Sequence, residues 1–115
     1  MKKVYFLLIG CLGLIQLSMA QAPTNLSLRV VSPAQICVSW TDNTTSELGF
    51  EVERSTDRLT YTKVADVAAN TTEFCNINLS PSTLYYYRVR AKLTATTFSG
   101  YSNTDFATTQ AAPDT

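Results

Sequence analysis

The sequence predicts an all-β sandwich of seven short antiparallel strands, and three observations carry that expectation. In Leu79–Ala91, LSPSTLYYYRVRA, Tyr85, Tyr87, Val89 and Ala91 fall on one phase, and Tyr86, Arg88 and Arg90 on the other, with Lys92 just beyond. A period of two is that of a strand with one face on a core and the other in water. Similar segments recur along the chain between turns rich in Asn, Asp, Ser and Pro, which is the spacing of a sandwich. No helical periodicity of useful length and no internal repeat interrupts them.

Residues 1–20 stand apart from this pattern. Met1-Lys2-Lys3, an apolar run VYFLLIGCLGLIQL and the ending SMA read as a secretory signal peptide, cleaved after Ala20 to leave Gln21 first. The apolar run is short for a membrane span, so no membrane insertion is expected after cleavage. Leu8-Ile9-Gly10-Cys11 is only superficially like a lipid-attachment site, because the apolar run continues past Cys11. The expected location is secreted, periplasmic or cell-surface.

The strands follow in order. Leu26, Leu28 and Val30 form the inward phase of the first, which ends at Pro33, a residue without a backbone donor. Gln35–Thr41 is the second, with Ile36, Val38 and Trp40 inward and Cys37 and Ser39 outward. Asp42–Gly49 is a loop whose side chains favour turns by bonding local backbone. Gly49–Ser55 is the third strand, with Phe50 and Val52 inward and Glu51 and Glu53 outward on a solvated face. Tyr61–Val67 is a weaker fourth strand, Glu73–Ile77 the fifth, and Tyr85 opens the sixth. Thr94–Gly100 is read as a loop with Phe98 near its tip, and Tyr101–Thr109 as the last strand. Gln110–Thr115, QAAPDT, has the composition of a linker.

Alternation alone also allows another sandwich topology or a small barrel. Trp40 followed by TDNTTSELGFEVERS, then LSPSTLYYYRVRA, then YSN, resembles a fibronectin type III domain of bacterial style. The resemblance covers roughly Pro23–Thr109 and implies a seven-stranded, immunoglobulin-like sandwich, with the domain at 21–109 and a tail at 110–115. Asp57-Arg58 departs from the glycine-rich turn often found after the third strand. In that family Trp40 and Leu79 are core residues, Leu79-x-Pro81 turns the chain into the sixth strand, and Tyr85 is the corner tyrosine whose hydroxyl returns to upstream backbone.

The resemblance also makes the second and fifth strands neighbours. Cys37 and Cys75 then face each other, and the export signal points to a disulfide. The alternatives are two unpaired thiols out of register, or metal ligation, which the absence of histidine and of Cys-x-x-Cys disfavours. Hydrophobic burial is enough to carry the fold, so the bond is an addition.

Composition excludes several functions. Removing Lys2 and Lys3 from nine basic residues leaves seven against nine acidic, so no basic field attracts nucleic acid. Without histidine, Gly-x-Ser-x-Gly or a glycine-rich phosphate loop, neither nucleophilic catalysis nor nucleotide chemistry is expected, and no cofactor is called for. Glu51 and Glu53 are a carboxylate pair of the kind that hydrolyses sugars, but they share one phase of a flat strand and flank no cleft. The chain is therefore read as a non-enzyme and a monomer, meeting an unidentified protein or glycan. Tyr86, Arg88 and Arg90 make one candidate binding face and Phe98 another contact. The plainer reading is a cross-strand charge ladder of Glu51 and Glu53 with Arg88 and Arg90. The resemblance implies a spacer or a protein-binding or adhesion module, as part of a larger extracellular protein. The alternatives are a free-standing binding protein and an accessory domain of a polysaccharide-degrading enzyme. Thr94–Gly100 lacks the Arg-Gly-Asp motif that some family members carry there.

Overall fold

A computed structural model describes residues 21–114; the expected signal peptide lies outside the described residues. The strands are β1 Thr24–Ser32, β2 Gln35–Thr41, β3 Gly49–Ser55, β4 Thr62–Ala68, β5 Glu73–Asn76, β6 Leu84–Lys92, β7 Phe98–Tyr101 and β8 Asp105–Thr108. One sheet runs β1-β2-β5 and the other β4-β3-β6-β7, with β8 also on β6. All pairings are antiparallel. The two inward phases meet in a core of Leu26, Ile36, Val38, Trp40, Phe50, Val52, Leu79, Tyr85, Tyr87, Val89 and Ala91. Trp40 and Phe50 pack ring to ring at 5.6 Å, joining the two sheets.

The sequence leads one to expect seven strands; there are eight, because the last one breaks. β7 pairs Tyr101 with Arg90, but β8 pairs Asp105 with Tyr87, so the register slips between them. Ser102 fills the gap, donating its N–H to the Val89 carbonyl at 2.8 Å and accepting the Val89 N–H on Oγ at 3.0 Å. Asn103 then turns to the other sheet. Its Oδ1 accepts the Leu26 N–H at 2.9 Å and its Nδ2 donates to the Leu26 carbonyl at 3.1 Å, as a neighbouring strand would.

Turn chemistry accounts for the connections. Asn70 and Asn78 have φ of 67 and 62° between strands, and Asn25 has 56° at the irregularity between Thr24 and Ser27 of β1, a left-handed backbone that asparagine tolerates well. Arg58 does the same at 66° in the β3–β4 turn. That turn is held by Ser55 Oγ, which accepts the N–H groups of Asp57 and Arg58, and by Asp57 Oδ1, which accepts those of Leu59 and Thr60. The Thr60 and Leu59 N–H bonds, followed by the Ser55 hydroxyl, hold the Asp57 carboxyl below the usual range. Gly49 is required for a different reason: a Cβ there would collide with the Val67 carbonyl across the β3–β4 pairing.

The Tyr85 hydroxyl accepts the Ser80 N–H at 3.0 Å, pinning the corner before β6. Leu79 is buried beneath it, while Pro81 is exposed. Thr109 Oγ1 closes the far side by donating to the Ser80 carbonyl at 2.6 Å, and the Gln110 carbonyl takes the Ser82 N–H at 3.0 Å. β1 starts beside Thr41 and β8 ends beside Leu84. Chain entry and exit are therefore at opposite ends of the sandwich.

Tyr87 is fully buried, and its hydroxyl donates to Asn76 Oδ1 at 2.7 Å. Burial pushes its phenol up from 10.0 to about 12. A raised pKa means that the neutral ring is the one the fold favours. Its contribution is whole below the unfolded value of 10.0 and drains away as pH rises towards about 12. In an absorbance titration of phenolate formation, Tyr87 should ionise last, and Tyr87→Phe should remove that final step.

Candidate functional site

The outward faces of β3, β6 and β7 form the site. Register sets Glu51 opposite Arg90 and Glu53 opposite Arg88. Arg90 donates Nε and Nη2 to Glu51 Oε1 at 3.1 and 3.0 Å, and Arg88 donates Nε to Glu53 Oε1 at 2.8 Å. The ladder is thus present, but the expected solvated face is not. Glu51 and Glu53 are only 7% and 8% exposed, because a roof of rings and guanidinium groups covers them.

That roof is an alternating stack. Arg88 lies between Tyr61 at 4.1 Å and Tyr101 at 3.8 Å, and Arg90 between Phe98 at 3.8 Å and Tyr101 at 5.0 Å. A guanidinium over a ring is held by the ring's negative face, at about 0.5–2 kcal/mol per contact. Tyr101 also donates its hydroxyl to Glu53 Oε2 at 2.9 Å. Burial first, then this bond, raises the Tyr101 phenol above its usual value. Lys63 reaches Asp66 at 2.9 Å and Glu51 at 3.6 Å; the Asp66 bond is the main reason its amine is held above the usual range.

Phe98 is not at a loop tip, as the sequence suggested; it opens β7 and lies on Arg90. The turn Thr94–Thr97 is closed on itself, with the Thr97 carbonyl accepting the N–H groups of Leu93 and Thr94, so the strand starts earlier. Tyr61 and Tyr101 join the site without any mark in the sequence pattern. Strict alternation would set Phe98 and Tyr101 on opposite faces. An irregularity between the Arg90 and Lys92 pairings, where Ser99 Oγ takes the Ala91 N–H at 2.8 Å, brings them to the same one.

Tyr86 lies farther along β6, away from Arg90, and pairs with Phe106 of β8, ring centroids 5.7 Å apart. Arg58, Tyr61, Tyr86, Arg88, Thr104 and Phe106 line an open cleft of about 370 Å³ there. The expected binding residues therefore divide: Arg90 and Phe98 are stacked together, whereas Tyr86 and Arg88 reach the cleft.

Removing Glu53 should be felt through the whole stack. In Glu53→Ala, Arg88 and Tyr101 both lose their partner. Arg88 is partly solvated, so the expected loss is about 2 kcal/mol, below that for a fully buried pair. Urea unfolding checks this. A loss below about 0.5 kcal/mol would put the pair among inert surface ion pairs.

On the outer face of the other sheet, Cys37 pairs directly with Cys75 across β2 and β5, and the sulfurs are bonded, with Cα atoms 3.9 Å apart. The outward phase is as expected, yet Cys37 is only 3% exposed. Gln35 Nε2 approaches its sulfur at 3.7 Å. Among the described residues there is no group of three or more His, Cys, Asp or Glu placed to hold a metal, and no helix long and apolar enough to cross a membrane.

No curated protein matches the chain in sequence. Solved structures share its fold. The fn3 domain of human contactin 1 superposes with a TM-score of 0.71 at 21% identity, covering 81% of this chain and 80% of that one. A fibronectin type III domain from human KIAA0970 protein gives 0.70 at 16% identity, covering 85% and 80%. A β-1,2-glucanase from Parabacteroides distasonis gives 0.66 at 23% identity over 82% of this chain, which spans only 14% of that enzyme. The family profile of the fibronectin type III domain matches residues 21–105. With the corner tyrosine, the two sheets and that match in agreement, the chain belongs to the fibronectin type III domain family.

Proposed function

We propose that the chain is an exported, non-catalytic module, serving as a spacer and a protein-binding or adhesion domain within a larger extracellular protein. The observation that carries this reading is entry and exit at opposite ends of the sandwich, which lets such domains be strung in series. Three further features support it. The cross-strand disulfide suits an oxidising compartment. Both carboxylates that acid–base chemistry would need are already held by arginines. The glucanase neighbour is an enzyme far longer than the matched part, in keeping with an accessory role.

The test is the intact mass of the protein released by its own host, before and after reduction. A mass well above that of Gln21–Thr115 is expected from a module. A mass equal to Gln21–Thr115, two hydrogens lighter before reduction, would overturn the spacer reading and leave a free-standing binding protein. The cleft beside Tyr86 and Arg88 favours that second reading.

A further inference from the structure

The stack leaves one part of the arginine face unsatisfied. Among the described residues, Arg88 bonds protein through Nε alone, and its Nη groups are not among the buried, unpartnered atoms. They therefore face solvent, at the cleft of about 370 Å³ that Arg88 helps to line. Arg58 stands on the same cleft, exposed and without an ion pair among the described residues. Its backbone is fixed by the bond from its N–H to Ser55 Oγ in the β3–β4 turn. Glu53 is already held by Arg88 and Tyr101, and Asp57 is aimed into its own turn. The cleft thus presents two guanidinium groups, and none of its lining residues is a carboxylate.

The other wall is apolar. Phe106 is 59% exposed on the short strand β8, tilted at 52° against Tyr86. Phe106 and Tyr86 thus give the cleft an apolar side next to its two cations. Thr104 also lines the cleft, and a threonine hydroxyl can donate and accept.

We infer that this cleft binds a uronic-acid residue of an acidic polysaccharide. Its carboxylate pairs with Arg58 and the free Nη edge of Arg88, and its pyranose C–H face lies on Phe106 and Tyr86. Planar guanidinium groups match carboxylate geometry and form the stronger, charge-assisted hydrogen bonds. A neutral sugar would leave both cations unpaired. An acidic side chain of a peptide would satisfy the cations and leave the rings uncovered; a carboxylated pyranose uses both walls. The inference goes beyond the spacer role and holds whether the chain stands alone or within a larger protein.

The test is calorimetric titration of the exported chain with a galacturonic-acid oligosaccharide, its methyl ester, and polyglutamate. The oligogalacturonate should bind, its ester should not, and binding should weaken as salt rises. Arg58→Gln and Phe106→Ala should each lower affinity about tenfold. Both side chains are exposed, so each variant should still unfold in one cooperative urea transition and remain folded under the assay conditions, which separates lost binding from lost fold. No binding of the oligogalacturonate would overturn the proposal, as would equal binding of the ester. Polyglutamate binding that Phe106→Ala leaves untouched would replace it with an acidic-peptide site. The spacer reading, tested by mass, is unaffected by any of these outcomes.

Discussion

Reducing the Cys37–Cys75 bond should lower the unfolding free energy by about 4 kcal/mol. The bond closes a loop with a sequence separation of 38, and the chain-entropy model assigns roughly that figure to a loop of this length. Reduction changes no core contact: the sulfurs lie on the outer face of β2 and β5, while Ile36, Val38 and Phe74 face inward. The effect therefore falls on the unfolded chain, which regains its freedom. Urea melts with and without reductant should show the midpoint displaced by about 2–4 M at a slope of about 1–2 kcal/mol per M. A Cys37→Ala, Cys75→Ala double variant should melt with the reduced protein. A displacement worth less than about 1 kcal/mol would mean that the reduced, unfolded chain stays compact around this loop.

Phe50→Ala should cost about 3–5 kcal/mol, the range for removing a large ring from a packed core. Phe50 is 1% exposed and lies against Trp40 across the two sheets. Its neighbours along the sheet, Val67 and Ala91, are fixed by register and cannot collapse into the space. Phe50→Leu keeps most of the volume and should cost about 1.5 kcal/mol or less. The chain has a single tryptophan, so Trp40 fluorescence reads both quantities: stability from the unfolding curve, and the local void from a red-shifted native emission. An unshifted spectrum with full stability would show that the inter-sheet contact does not organise the core. The two losses come from different places, one from the unfolded chain and one from the core, and should add.

Much of this fold is legible in the residues, for a physical reason. Wherever a strand is regular, a period of two assigns each side chain to a face. Alternation alone therefore turns Ile36, Val38, Phe50, Val52, Tyr87 and Val89 inward, where the core holds them. Opposite charges on β3 and β6 are legible for the same reason. What alternation cannot carry is an irregularity. The slips within β7 and between β7 and β8 bring Tyr101 beside the arginines and split the last strand in two. Nothing in FSGYSNTDF announces either slip, because Ser99, Ser102 and Asn103 act by bonding backbone that only the fold brings near. Burial of Glu51 and Glu53 is hidden likewise. A carboxylate on an outward phase reads as wet until its neighbours are long enough to cover it. Here the cover includes Tyr61, from the turn leading into β4, and Tyr101 from β7.

Entry and exit at opposite ends also mean that a pull applied to the two ends would cross the whole sandwich. Pulling on its two ends loads β1 and β8 first and reaches the Cys37–Cys75 loop only after the sheets part. The covalent bond then withholds the chain between the cysteines from extension, shortening the stretched domain by roughly 130 Å at about 3.5 Å per residue. An oxidised domain gives way as a short tether, and a reduced one as a long tether. The redox state of one cross-strand pair thus sets how far the protein can lengthen under load.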